Sequence, residues 1–281
     1  MPASRQTVGA AVDARDRDLL AHLVASRLAG RVNTPTASSL TNSARLVAGD
    51  PDCTMGLSDW RDVTYDDVLA ALHAMGGTRL DEEHPDGGYI DPSATLAQIR
   101  NQGRLLAAFL DAGGGRVLLA TGHPILLPHY GTLARALADA GCALLRPLEG
   151  EEGRLTSPEG RPCTIAYTDH VAALAFDGSP HHTHRSLYME AMLDALGGAD
   201  AVDLVIADHG FAGAAIEAGL PTLSIADVND PALPLAQARG RTDGVLLIDD
   251  GKPPAAFAPV TQAILDGVEQ TRSGHGGQAR G

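Results

Sequence analysis

Histidine and aspartate recur between Thr121 and Asp230 at spacings suited to catalysis or to metal binding. His182 and His184 stand two residues apart. On an extended segment both project to one side, which suits two ligands of one ion. Asp208-His209-Gly210 closes the apolar run Leu204-Val205-Ile206-Ala207. A carboxylate buried there needs a cation or several hydrogen bonds, because an unpaired charge is expensive to desolvate. Asp227 and Asp230 follow Ser224-Ile225-Ala226, and one of them would ligate an ion or orient a ligand histidine from behind. In Thr121-Gly122-His123-Pro124, Gly122 permits close backbone approach, and the Thr121 hydroxyl with the free amides of a following helix would hold an anion. Arg185 could meet a phosphate oxygen.

The expectations are these. His182, His184, Asp208, His209 and Asp227 are the candidate metal ligands. His123, Asp208 and His209 are the candidate catalytic groups. Thr121, Gly122 and Arg185 are the candidate phosphate contacts. A mixed histidine and aspartate set suits zinc, manganese, iron or nickel better than magnesium, which prefers oxygen. A histidine acting as acid–base or as a nucleophile on phosphorus is the open alternative. Plainer readings stand beside each. Residues 121–124 would be a strand–helix turn, 181–184 a solvated loop, and Asp208 or Asp230 a helix or turn cap. Asp169-His170 is a weaker candidate of the same type. Asn33-Thr34-Pro35 would close over the site or be a plain turn. His22 and His73 fall on helices and read as packing or surface residues, and His84 has no catalytic context.

Such residues need a frame, and the pattern supplies one. Short apolar runs at Arg116–Ala120, Cys142–Leu145, Cys163–Tyr167, Ala172–Phe176, Asp203–Ala207, Thr222–Ala226 and Gly244–Ile248 predict strands. Helical spacing predicts helices over Leu127–Ala140, Arg185–Leu196, Ala212–Ala218 and Pro259–Val268. Strands separated by helices imply an α/β fold, doubly wound around a mainly parallel sheet. In such a sheet ligands bind beyond the carboxyl ends of the strands. Three strands deliver Asp or His there, at 121–124, 208–210 and 227–230. Upstream, helices are expected over Arg15–Ala29, Ser39–Val47, from Thr64, and over Ser93–Ala112. Thr64 with Asp67 forms a variant capping box. The expected division is a helical cap region at 1–92, opening with a disordered leader to about residue 14, an α/β catalytic core at 93–270, and a disordered tail at 271–281.

Composition narrows the partners. The 281 residues carry a net charge of -14, which argues against nucleic acid and against an anionic membrane surface. Of 21 basic residues only Lys252 is lysine. Three scattered cysteines without a C-x-x-C pair read as reduced thiols of a cytoplasmic protein. No apolar run approaches the ~18 residues a membrane helix needs. Neither a G-x-x-x-x-G-K-[ST] loop nor a G-x-S-x-G elbow occurs, which disfavours P-loop nucleotidases and ordinary α/β-hydrolases. The expected partner is a small phosphorylated metabolite, with a homodimer left open.

The set Ala120-Thr121-Gly122-His123-Pro124, His182-Thr183-His184, Asp208-His209-Gly210 and Ala226-Asp227 with Asp230-Pro231-Ala232-Leu233 resembles a family from high-GC bacteria labelled simply phosphatases. Arg27–Gly30 and Asn33–Pro35 look like the same family's opening, and the likeness covers roughly residues 17 to 268. It implies phosphate ester hydrolysis and assigns no ligands. With the site reading, the expectation is metal-assisted hydrolysis of a phosphomonoester such as a sugar phosphate or nucleotide. The rivals are another metal-dependent isomerase, lyase or hydrolase on the same residues, and a small-anion binding protein.

Overall fold

The computed structural model describes residues 13–78, 80 and 87–278. Most of the leader read at residues 1 to 14, His84, and residues 279–281 of the expected tail lie outside them. The chain has an α/β fold. Six strands dominate one nine-stranded sheet: β1 (Arg116–Thr121), β2 (Pro162–Thr168), β3 (Val171–Phe176), β4 (Leu204–Asp208), β5 (Thr222–Ala226) and β6 (Gly244–Leu247). Their order across the sheet is β6-β5-β4-β1-β3-β2. All neighbours are parallel except β3 and β2. Three two-residue strands complete the sheet: Ala143–Leu144 beside β1, Leu155–Thr156 beside β2 and Ser179–Pro180 beside β3. The chain leaves β1 towards β3 on one side and returns to β4 on the other. That reversal opens a crevice at the carboxyl ends of β1 and β4.

Among the described residues the longer helices are α1 (Ala14–Ala25), α2 (Thr36–Val47), α3 (Tyr65–Gly76), α4 (Pro92–Asp111), α5 (Leu127–Asp139), α6 (Leu187–Ala195), α7 (His209–Glu217), α8 (Ala232–Ala238) and α9 (Ala258–Gln278), and a short α-helical turn spans Pro51–Thr54. Thr64 and Asp67 form the capping box of α3, each satisfying a backbone amide of the other. The central strands are buried on both faces, as parallel strands between helices must be. One hydrophobic cluster joins Leu23, Leu28, Met55 and Leu72's neighbours Val68 and Met75 to Leu118, Val205 and Leu246. The described residues among the first 92 therefore share the core of the sheet. They also reach its carboxyl edge, where the Asp249 amide donates to the Leu28 carbonyl. Residue 95 onward is tied in as well: Thr95 donates to Leu247, and Gln102 to Ser224 and Gly244.

Three local features differ from the expected pattern. β2 and β3 form an antiparallel hairpin, because only Asp169-His170 separates them and a parallel crossover needs a dozen residues. Both turn residues are left-handed, at φ 48° and 68°, the geometry of a type I′ turn. α8 carries no clear helical signal in the sequence because Pro234 interrupts its pattern, yet proline is tolerated in the first turn, where no amide partner is lost. Finally, α9 continues to Gln278, across most of the stretch read as a tail. The three cysteines are buried free thiols. No described helix is long and apolar enough to cross a membrane.

Candidate functional site

The crevice between β1 and β4 collects side chains from four strand ends and one loop. β1 ends at Thr121 and delivers Gly122 and His123. The Ser179–Pro180 strand leads into an extended segment whose Thr183 amide donates to the Gly122 carbonyl at 2.8 Å. That pairing turns Thr183 inward and leaves His182 and His184 side by side, with ring centroids 4.8 Å apart. β4 ends at Asp208, and α7 starts at His209. β5 delivers Asp227 and Asp230, and β6 delivers Asp249, Asp250 and Lys252.

Asp208 is the hub. Fully buried, it accepts four hydrogen bonds: from Thr121 Oγ1 at 2.6 Å, the Gly122 amide at 2.8 Å, the His123 amide at 3.1 Å and His209 Nδ1 at 2.6 Å. It does not cap α7. Since an ionised carboxylate only accepts, His209 must carry its proton on Nδ1, leaving Nε2 to face the crevice. His209 is left-handed at φ 48°, a conformation uncommon outside glycine and concentrated at functional sites. A Cβ on Gly122 would strike the Thr183 carbonyl, so this glycine admits another stretch of backbone rather than a ligand.

His209 Nε2 has three polar neighbours: His182 Nε2 at 3.4 Å, Asp230 Oδ2 at 3.5 Å and Asp250 Oδ2 at 3.6 Å. His123 Nδ1 faces Asp250 Oδ2 at 3.3 Å, and both atoms are buried without a hydrogen bond. The His123 ring stacks on His182 at 4.6 Å. His184 Nδ1 lies 3.0 Å from the Asp52 carbonyl oxygen and 3.9 Å from Asp230 Oδ1. Two triads, His123-His182-His209 and His184-His209-Asp230, have ligand atoms close enough to share an ion.

The electrostatics match this crowding. Five carboxylates, Asp208, Asp227, Asp230, Asp249 and Asp250, are at most 6% exposed, and the buried cation among them is Lys252, 2.7 Å from Asp249. Burial pushes His209 towards its neutral form, but the charge of Asp230 and the hydrogen bond it donates to Asp208 outweigh this and lift the ring to about 10. Burial and then the His209 charge hold His182 down at about 4 and lower His184. Burial raises Asp230. It also lifts Asp227 well above the carboxylate range, helped by the charges of Asp250, Asp249 and Asp230. Asp250 stays low despite its burial, because His123 and His209 stand beside it. A buried group of this composition has to take up protons or a cation.

The structure thus brings together His123, His182, His184, Asp208, His209, Asp227 and Asp230. Several expected roles need correction. Asp208 points its oxygens at four donors, so it orients His209 instead of ligating an ion. Thr121 and Gly122 spend their donors on Asp208 and direct none at an anion. Arg185 turns to Asp52, Nε to Oδ1 at 2.7 Å. Asp227 has one oxygen on the Thr34 hydroxyl and the other on the Val228 amide at 2.7 Å. That first contact brings the Asn33–Pro35 loop over the sheet edge, and the Asn33 amide donates to Asp249 at 2.9 Å.

Other histidines serve the fold. His129 is buried against Thr261, His181 packs edge-on to Phe176, and His22 and His73 meet the Ala256 and Thr78 carbonyls. Asp169-His170 sits at the amino end of β3, away from the crevice, with Asp169 paired to Arg135. Asp249, Asp250 and Lys252 join the site from outside the expected set. Their signal was present, because Asp-Asp-Gly-Lys follows the last strand as the other clusters follow theirs.

A family model described as Phosphatase matches residues 14–272. A protein of Streptomyces coelicolor named as a phosphatase is 38% identical over 256 residues, spanning 88% of this chain and 94% of the relative.

Proposed function

This chain belongs to the phosphatase family whose model spans residues 14–272, and from that premise we propose that it hydrolyses a phosphomonoester of a small metabolite with the help of a divalent ion. The observation that carries the reading is the meeting of His123, His182, His209, Asp230 and Asp250 within 3.3–3.6 Å, with the His123 and Asp250 atoms buried and unpartnered. Buried carboxylates and imidazoles at such distances must share protons or a cation, and an ion would serve all of these donors at once. The donor set of nitrogen and carboxylate oxygen favours zinc, manganese, iron or nickel over magnesium.

A bound ion would supply positive charge to the phosphoryl oxygens and make the attacking water a better nucleophile. The chain's own groups do the rest. Asp208 fixes the 121–123 loop and holds the His209 ring in one tautomer, with Nε2 aimed into the crevice. His209, Asp230 and Asp250 are at most 6% exposed, while His182 and His184 beside them are more open, so a substrate would meet the two histidines first. The net charge of -14 supports a small substrate over a nucleic acid. The Asn33–Pro35 loop, held on Asp227 and Asp249, would limit water at the edge.

The test is phosphate release from a panel of phosphorylated metabolites by protein loaded with zinc, manganese, iron or nickel. Activity should vanish on chelation and return on reloading. Loaded protein that releases no phosphate from any of the panel would overturn the proposal.

A further inference from the structure

The crevice offers two overlapping triads that share His209, whose Nδ1 is held by Asp208 and whose Nε2 faces both His182 and Asp230. One nitrogen has one lone pair and can be given to one ion. We propose that the cluster holds a single divalent ion, on His123, His182, His209 and Asp250, and that His184 stays outside its shell and contacts the phosphoryl group instead. This rests on the metal-assisted reading above and divides its residues between ion and substrate.

Three observations choose this division. First, bonds of about 2.0–2.1 Å place tetrahedral ligands about 3.3–3.4 Å from one another. His123, His182 and His209 are a triad able to share an ion, and three pairs of the proposed set stand near that spacing: His123 Nδ1 to Asp250 Oδ2 at 3.3 Å, His182 Nε2 to His209 Nε2 at 3.4 Å, and His209 Nε2 to Asp250 Oδ2 at 3.6 Å. Second, His123 Nδ1 and Asp250 Oδ2 are buried atoms with no hydrogen-bond partner, and an ion between them would satisfy both. Third, His184 is already anchored. Its Nδ1 lies 3.0 Å from the Asp52 carbonyl, which can only accept, so the proton is on Nδ1. The closest approach of His184 to Asp230 uses that same committed nitrogen, at 3.9 Å. The remaining ring nitrogen of His184 is free. Its ring centroid is 4.6 Å from that of His209 and 4.8 Å from that of His182, beside the ion position and on the more open side. A phosphoryl group bound at the ion would meet it there.

The experiment measures ion content by elemental analysis and binding of inorganic phosphate by calorimetry, on zinc-loaded wild type, His182→Asn and His184→Asn. An asparagine at 184 keeps a donor for the Asp52 carbonyl and removes the far nitrogen. The wild type should hold one equivalent of zinc. His182→Asn should lose it. His184→Asn should keep it and bind phosphate about tenfold more weakly, the loss of one hydrogen bond to an anion. His184→Gln, whose longer amide reaches towards the missing nitrogen, should retain zinc and recover part of the phosphate affinity, which also covers a His184→Asn protein that fails to fold. Two equivalents of zinc in the wild type, or zinc lost with either change at 184, or unchanged phosphate affinity, would overturn this division while leaving a metal-assisted phosphatase in place. A wild type that binds no ion would overturn both.

Discussion

Replacing Asp208 tests the reasoning most directly, because two substitutions at one position should have very different consequences. In Asp208→Ala, four acceptor contacts disappear. Thr121 Oγ1 can turn its proton to the His123 carbonyl, 2.8 Å away, and the His123 amide still reaches Thr121 Oγ1 at 3.0 Å. The Gly122 amide and His209 Nδ1 have no such substitute. Each unsatisfied buried donor costs about 1–3 kcal/mol, so the change should cost about 2–6 kcal/mol before any cavity is counted. That is a large share of the roughly 5–15 kcal/mol that holds a domain together. Asp208→Asn is gentler. With its oxygen in the place of Oδ1 it still accepts from Gly122, His123 and His209. Its amide then donates to Thr121 Oγ1, whose own proton moves to the His123 carbonyl. What is lost is the negative charge behind His209, which should cost about 1–3 kcal/mol of stability. Zinc affinity should fall about 10–100-fold, the usual effect of altering a carboxylate behind a ligand histidine. Urea unfolding followed by circular dichroism reads the first quantity, and zinc competition against a chromophoric chelator reads the second. An alanine variant as stable as wild type, or an asparagine variant that binds zinc undiminished, would show that Asp208 does not organise this site.

Two further outcomes follow from groups outside the ligand set. His129 is buried, with Nδ1 on Thr261 Oγ1 at 2.7 Å and Nε2 unpartnered, and burial holds it down at about 4. Below the usual imidazole value of 6.5 the unfolded chain takes a proton that the folded chain refuses, so stability should fall as pH drops from 6.5 to about 4 and level off below. The change amounts to about 3 kcal/mol, and His129→Phe should flatten that limb in urea titrations at graded pH; an unchanged slope would contradict the assignment. Gly122→Ala drives a Cβ into the Thr183 carbonyl and should separate the 181–184 segment from β1, costing about 1–3 kcal/mol and weakening zinc binding in the same chelator competition. Wild-type zinc affinity in that variant would show that the backbone contact does not align the histidines.

Much of this protein could be read from pattern. Strand-length apolar runs separated by helical ones specify an α/β sheet, because short strands buried on both faces leave no other way to cover them. The rule that ligands gather at carboxyl strand ends located His123, Asp208 and His209 from sequence alone, and the two-residue spacing of His182 and His184 placed both rings on one side. The roles did not follow from pattern, because a role depends on what an atom faces. Asp208 looks like a ligand beside His209, but four donors from β1 and α7 converge on it. Thr121 and Gly122 look like an anion cradle, but the fold aims them at that same carboxylate. Asp169-His170 has the residue types of a site but forms the turn at the amino end of β3, since a two-residue hairpin reverses the strand there and Asp169 pairs with Arg135. Asp249 and Asp250 carried the same strand-end signal as the others. Only strand order brings Asp250 within 3.3 Å of His123, 127 residues earlier in the chain. Side-chain partners so distant in sequence are set by how the sheet is wound, and no local spacing encodes that.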